Sequence, residues 1–285
     1  MNIFNAKRIS EISAIPVIDI HPSRGWIPVN LKDLWLYREL LYFLTWREIK
    51  VRYKQTILGF AWAIIQPFMM MIVFTLFFGN LAKIPSEGIP YPLFNYAALL
   101  PWTLFAEGLT RSSSSLVQDA NLVRKIYFPR LVMPISGVLS PIVDFAIAFI
   151  ILIGMMFYYG YYPTVNIIWM LGFIVLAVAT ALGAGLWLSA MNIKYRDIRY
   201  VIPFLIQIWM FASPVVYSSS ALPEKYRLIY ALNPMSGVIE GFRWSLLGTQ
   251  PPGAMAAVGI VIVTVLIVSG VFYFRRSEKS FADVS

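Results

Sequence analysis

Residues 254–274 read AMAAVGIVIVTVLIVSGVFYF, with no Asp, Glu, Lys or Arg, and Arg275 and Arg276 follow at once. About 20 apolar residues in a helix cross a hydrocarbon core of about 30 Å, so this stretch has the length and composition of a transmembrane helix. Working outward, five further stretches carry the same signal: 59–78, 91–110, 131–160, 166–191 and 200–217. Three of them, 59–78, 166–191 and 200–217, are equally free of charge, whereas 91–110 holds Glu107 and 131–160 holds Asp144. The third span is longer than a membrane requires, and Pro134 and Pro141 mark it for an interfacial start or a kink.

The composition of all 285 residues agrees with these spans. At 59% hydrophobic and 13% charged, too little polar surface remains to cover a water-exposed globule. The absence of cysteine excludes disulfides and thiolate chemistry, and His21 is the lone imidazole, too few for a multi-histidine metal site. The net charge of +9 would suit nucleic acid in a soluble protein, but the positions of the basic residues give another reason. Arg47, Lys50, Arg52 and Lys54 precede the first span. Arg111, Arg124, Lys125 and Arg130 lie between the second and third, Lys194, Arg196 and Arg199 between the fourth and fifth, and Arg275, Arg276 and Lys279 in the tail. The alternate loops hold only Lys83, Lys225, Arg227 and Arg243. Six spans with this asymmetry predict both termini in the cytoplasm and no nucleic-acid partner. Apolar dominance begins only after residue 58, so no signal peptide is expected, and residues 1–30, with Pro16, Pro22 and Pro28, read as an extended cytoplasmic segment.

Three segments between spans carry more information than turns need. In 31–58, Tyr37, Leu40, Leu41 and Leu44 follow helical spacing, and Arg47, Lys50 and Lys54 share a face near the start of the first span. The segment reads as an amphipathic interfacial helix, aromatic at headgroup depth and cationic toward anionic membrane lipid; simple anchoring and substrate gating both fit. Residues 118–128, QDANLVRKIYF, end at Pro129 and mix Leu122, Ile126 and Phe128 with Arg124, Lys125 and Arg130. That is a surface for docking a soluble protein, since a solvated loop would not need an exposed Ile-Tyr-Phe. The outer loop 218–253 is broken by Pro223, Pro234, Pro251 and Pro252 and is too apolar to float, so re-entrant or interfacial helices are expected there.

Glu107 and Asp144 must face protein or water, because a bare charge in lipid is costly; structural pairing or interfacial placement is expected ahead of a proton relay, since neither span shows a second cation. Aromatic residues make up 16% of the chain. Most are expected to face lipid, but Trp62, Phe68 and Phe74 in the first span and Trp209, Phe211 and Tyr217 in the fifth are candidates for a path along which sugar rings stack. No G-x-x-x-x-G-K-[ST] occurs, so nucleotide phosphates are not cradled here in that way, and any ATP must be handled by another polypeptide.

The arrangement resembles the membrane-spanning permeases of type-2 ABC exporters for polysaccharides, the family of O-antigen, capsule and teichoic-acid exporters. The likeness runs from about residue 31 to the end, and is most specific in TWREIKVRYKQTILG at 45–59 leading to Trp62 and Gln66-Pro67. LLPW at 99–102, residues 121–130 with their Tyr-Phe-Pro-Arg ending, YRDI at 195–198, SPVVY at 213–217 and LNPM at 232–235 follow in order. The resemblance implies an all-α integral membrane fold: six transmembrane helices over 59–274, an N-terminal cytoplasmic interfacial helix, re-entrant external helices between spans five and six, and a cytoplasmic tail at 275–285. It implies a homodimer in the bacterial inner membrane, bound from below by an ATP-binding ABC subunit that carries Mg-ATP, with no cofactor in this chain. Asp119, Asn121, Leu122, Arg124, Lys125, Ile126, Tyr127, Phe128 and Arg130 match the family's coupling helix, and Tyr195, Arg196 and Asp197 its second cytoplasmic contact. Arg47, Lys50, Arg52 and Lys54 would receive a lipid-linked polysaccharide, and spans one and five would line its channel. A membrane-embedded lipid-glycan transferase and a secondary transporter are the alternatives. The first would need a carboxylate, histidine or metal cluster and the second a midplane ionisable site.

Overall fold

The computed structural model describes residues 31–54, 59–195, 197–221 and 223–278, and among them every regular element is helical. The 1–30 extension, residues 55–58 and Arg196 lie outside the described residues. Two helices precede the first apolar stretch: α1 (Leu31–Leu36) and α2 (Arg38–Lys54). Then come α3 (Gly59–Phe74), which runs on as π-helix through Thr75–Leu81, and α4 (Tyr91–Gln118). A short α5 (Ala120–Lys125) leads to α6 (Val132–Leu139), α7 (Pro141–Tyr158), α8 (Ile167–Lys194) and α9 (Ile198–Phe211). The chain closes with α10 (Glu224–Ala231), α11 (Pro234–Leu247) and α12 (Ala254–Glu278).

Four stretches are long and apolar enough to cross a membrane: Ala61–Leu81, Val132–Tyr158, Ile167–Lys194 and Ala254–Glu278. Helix α4 is as long as any, about 42 Å at 1.5 Å per residue, but Glu107, Arg111 and the serines at 112–115 make it less apolar. It is instead the centre of the protein. Leu93, Phe94, Tyr96, Leu99, Phe105 and Leu109 are buried around its circumference, and it packs against α3, α6, α7, α8 and α11. A helix buried over most of its surface behaves as core, and the face of Thr103, Glu107 and Thr110 is left partly open.

Prolines set two breaks. Pro141 has no N–H to give to the carbonyl four residues back, so the third apolar stretch divides at Ser140 into α6 and α7, as its length and prolines suggest. Helix α9 stops at Phe211, about 21 Å long, and does not run on to Tyr217 as the hydropathy implies. Ser213 precedes Pro214, and a residue before proline is pushed out of the helical region. Helix α4 also continues past Thr110 to Gln118, so Arg111 lies in a helix and not in a loop.

Close backbone contacts bind two pairs of helices, α8 with α12 and α4 with α6. A Cβ on Gly270 of α12 would lie 2.7 Å from the Gly183 carbonyl of α8, and one on Gly137 of α6 would lie 2.9 Å from the Ser112 amide of α4. Small residues here let backbones meet. A second, smaller apolar cluster closes one end of the molecule: Leu44, Leu116, Phe128, Leu131, Met133, Leu186 and Phe274, with Tyr37, Leu40, Leu41, Leu122 and Ile193 around them. It joins α2, the loop around α5 and the C-terminal ends of α4, α8 and α12. The segments rich in Lys and Arg therefore gather at one end, called the basic end below.

Candidate functional site

Helix α2 lies across the basic end, fastened by its apolar face and by ions. Leu44 is buried, while Trp35, Tyr42, Phe43, Trp46 and Val51 face outward. Arg47 pairs with Asp119 before α5, and Glu48 accepts a 2.9 Å hydrogen bond from Ser140 at the α6–α7 break. Burial raises the Glu48 carboxyl above its ordinary range, against the opposing pull of Ser140, Arg111 and Arg47. One turn on, Arg52 and the Tyr53 hydroxyl both donate to Asp144, and Arg52 also lies 3.6 Å from Glu107. Arg111 completes the group, 3.3 Å from Glu107 at i,i+4. Asp144 occupies the first turn of α7, where the helix dipole favours its charge.

Both Glu107 and Asp144 are thus paired with arginine. The expectation of structural pairing is met, but the absence of a visible cation is corrected: Arg52 arrives from α2, and Arg111 shares a helix with Glu107. The latter was legible as an i,i+4 pair once α4 is taken through to Gln118.

This ion group stands at one edge of a groove of about 460 Å³ between α3, α4, α7 and α9. Besides Arg52, Glu107 and Asp144, its polar lining is Gln66, Thr103, Thr110 and Gln207, set against apolar groups that include Trp102, Phe145 and Met210. In an apolar bundle, polar groups collected along one lateral groove indicate contact with water or a polar ligand.

The loading candidates divide. Arg47 and Arg52 are engaged in ion pairs, whereas Lys50 and Lys54 are exposed and make no ion pair among the described residues. None of the six aromatic candidates lines this groove. Trp62, Phe68 and Phe211 are exposed on α3 and α9. Phe74 is buried against Phe78, with its ring centroid 5.6 Å away. Trp209 stacks edge-on with Phe105 and donates to Asn233 at 2.8 Å, and Tyr217 accepts from Tyr230 at 2.8 Å.

In the stretch expected to dock a partner, Asn121, Lys125, Ile126 and Tyr127 point outward, Tyr127 being 72% exposed. Leu122 leans on the small apolar cluster. Phe128 is 5% exposed, in that same cluster, which corrects the reading of an exposed Ile-Tyr-Phe: the phenyl ring holds the elbow to the body. Arg130 donates to the Glu278 carbonyl at 2.8 Å, tying the elbow to the end of α12. The exposed Tyr195 and Asp197 lie between α8 and α9, with Lys194 over the Tyr195 ring.

Sequence reasoning missed the residue that organises the opposite end. Arg243, counted among the outer-loop charges, is 0% exposed. Its guanidinium donates to the carbonyls of Phe94 at 3.1 Å, Pro214 at 2.7 Å and Val215 at 2.8 Å, and lies 3.5 Å from the Phe94 ring centroid. Pro214 and Val215 lie in the turn that follows the end of α9 and Phe94 in the first turn of α4, so one planar five-donor head ties the broken end of α9 to α4. Asn233 does the same work beside it: it caps α11 through the Met235 amide and donates to the Ala212 carbonyl and Ser213 hydroxyl. LNPM and SPVVY are therefore two halves of one joint. Helix α11 is buried along nearly its whole length against α8, α12 and α4.

These features define a multi-pass helical membrane protein with a polar groove open along its side and an ion-fastened helix at the groove's end. The chain belongs to the ABC-2 type transporter family, whose model matches residues 39–247. It is similar to the O-antigen export system permease protein RfbA of Myxococcus xanthus, 29% identical over 87% of this chain and 96% of that one. A protein of the same name from Klebsiella pneumoniae is 28% identical over 86% and 95%. The polysialic acid transport protein KpsM of Escherichia coli is 22% identical over 82% and 92%.

Proposed function

We propose that this chain is the permease subunit of an ATP-driven exporter that moves a lipid-linked, O-antigen-like polysaccharide from the cytoplasmic to the external side of the bacterial inner membrane. Family membership and the names of the relatives support the class, and the polar groove between α3, α4, α7 and α9 carries the reading to this chain. In it the six spans are α3, α4, α6 with α7, α8, α9 and α12, and α10 and α11 form the re-entrant external segment. Both termini lie on the cytoplasmic side, with the basic end. Two copies pair so that α3 and α9 face each other, and the exposed Trp62, Phe68 and Phe211 then have a polymer to contact.

The energy comes from a separate ATP-binding subunit holding Mg-ATP. That subunit docks on Asn121, Lys125, Ile126 and Tyr127, and on the turn at Tyr195 and Asp197. Phe128 and Arg130 transmit its movement to the bundle. Lys50 and Lys54 gather the anionic end of the lipid carrier, and the Arg52 clasp on Asp144 and Glu107 closes the groove until the docked subunit moves α2. Closure of the ATP-binding pair shifts the population from clasped to open.

The test is reconstitution in vesicles with the ATP-binding subunit and a lipid-linked glycan. Glycan should appear in the external compartment only with that subunit and ATP, and I126D/Y127D should abolish transfer while the chain stays folded. Transfer without any nucleotide-hydrolysing companion would refute the proposal.

A further inference from the structure

A second groove, of about 570 Å³, runs along the outside of α8 and α12. Trp187, Val265, Val268, Phe272 and Tyr273 make its walls, and Arg276 stands at its basic end. Its polar groups along the wall are turned inward: the Trp187 indole donates to the Ser269 hydroxyl at 3.1 Å, and the Trp187 and Tyr273 rings stack at 4.2 Å with planes 14° apart. What remains facing outward is carbon, with Val265, Val268 and Phe272 exposed. Arg275 is occupied by Glu278 at 2.9 Å, whereas Arg276 is exposed and makes no ion pair among the described residues.

The dimensions and charge select the occupant. From Thr264 to Arg276 the trough follows α12 for about 18 Å at 1.5 Å per residue. One leaflet of hydrocarbon is about 15 Å, half of a 30 Å core. A single acyl chain laid from the bilayer centre along this trough brings its glycerophosphate to the exposed Arg276 guanidinium. Phe274, between these lining residues, packs with Leu44 of α2, so the cation lies at the level of the interfacial helix. We propose that this trough is a binding site for one anionic phospholipid of the leaflet on which α2 lies, its acyl chain against Trp187, Val268 and Phe272 and its headgroup on Arg276. A lipid-linked glycan is the lesser fit, because no trough residue lines the polar groove between α3, α4, α7 and α9. The site does not depend on the export reading, and its test reads lipid and not transport.

The experiment is native mass spectrometry of the purified full chain in detergent, titrated with phosphatidylglycerol, with phosphatidylcholine of the same acyl chains, and with a polyprenyl phosphate. A basic residue near a membrane surface is worth about 1 kcal/mol toward anionic lipid, a preference of about fivefold. The wild type should retain one phosphatidylglycerol with that preference over phosphatidylcholine. R276Q should lose the preference, R275Q should keep it, and V268W, which fills the trough with an indole, should lose the bound lipid. The proposal is overturned by a preference that survives R276Q, by retention undiminished in V268W, or by polyprenyl phosphate displacing phosphatidylglycerol from the wild type.

Discussion

Replacing Asp144 with Asn tests whether α2 is a clasp. The carboxylate receives both Arg52 and Tyr53, with the Arg52 and Asp144 side chains 21% and 16% exposed. Two unit charges 4 Å apart attract by about 4 kcal/mol at an effective dielectric of 20, and desolvation of both groups takes back part of that. A hydrogen bond to a charged group nets about 1.5–3 kcal/mol, and Asn keeps one acceptor for Tyr53. With Glu107 still 3.6 Å from Arg52, the expected loss is about 1.5–2.5 kcal/mol, or roughly 10- to 70-fold in the equilibrium for releasing α2. Hydrogen exchange of the Arg38–Lys54 amides should accelerate by that factor, while exchange in α8 stays as in the wild type. D144N/E107Q should release α2 further, and R52Q combined with D144N should add little to either change alone. Because the chain has no cysteine, Gln66→Cys gives a single thiol in the groove, and its alkylation by a water-soluble maleimide should quicken in parallel. Unchanged exchange of α2 together with unchanged alkylation would refute the clasp and reduce these ions to packing.

Arg243→Ala strands several carbonyls and Glu240 in the interior, and removing one partner of a buried charged pair costs about 3–5 kcal/mol, measurable as a lowered unfolding midpoint in detergent. Arg243→Lys should fall between it and the wild type, since an ammonium does not span the same acceptors. Phe128→Ala should cost about 3–5 kcal/mol of stability, whereas Ile126→Ala should change stability by less than about 0.5 kcal/mol and lower ATP-driven transport; equal stability losses would remove the division of roles. Glu48 has a raised folded-state value, so the folded chain holds the proton more tightly and stability falls as pH rises through that value. Glu48→Gln should therefore exceed the wild type in thermal stability at about pH 8, with the difference closing toward about pH 5. Lys50→Gln with Lys54→Gln should slow substrate loading without speeding α2 exchange, because neither lysine fastens the helix.

What the sequence made legible were the long-range regularities. The long apolar stretches at 59–78, 131–160, 166–191 and 254–274 announce themselves through length, and helix α2 through the spacing of Leu40, Leu41 and Leu44. The motif LNPM was visible, but not its purpose, because Asn233 acts on the broken end of α9, which it meets only in three dimensions. Arg243 was hidden for the same reason. A positively charged residue in an outer loop is ordinarily solvated, and only the break at Pro214 creates carbonyls worth burying it for. The partner of Asp144 lies 92 positions away, beyond any periodicity. Phe128 shows the converse limit: hydropathy reported its apolarity correctly but could not say whether it faces a partner or the body.

The backbone contacts of Gly183 with α12 and of Gly137 with α4 have a mechanical meaning. At these two points backbone meets backbone with no rotamer to change, which resists small sliding steps there and holds α12 to α8 and α6 to α4. Helix α2 is joined to the bundle by ion pairs and by Leu44, and α9 by the joint at Pro214 and the Trp209 ring on Phe105. The two glycine seams are thus where the bundle is stiffest in shear, and α2 and α9 are attached to it by contacts that can be remade one at a time.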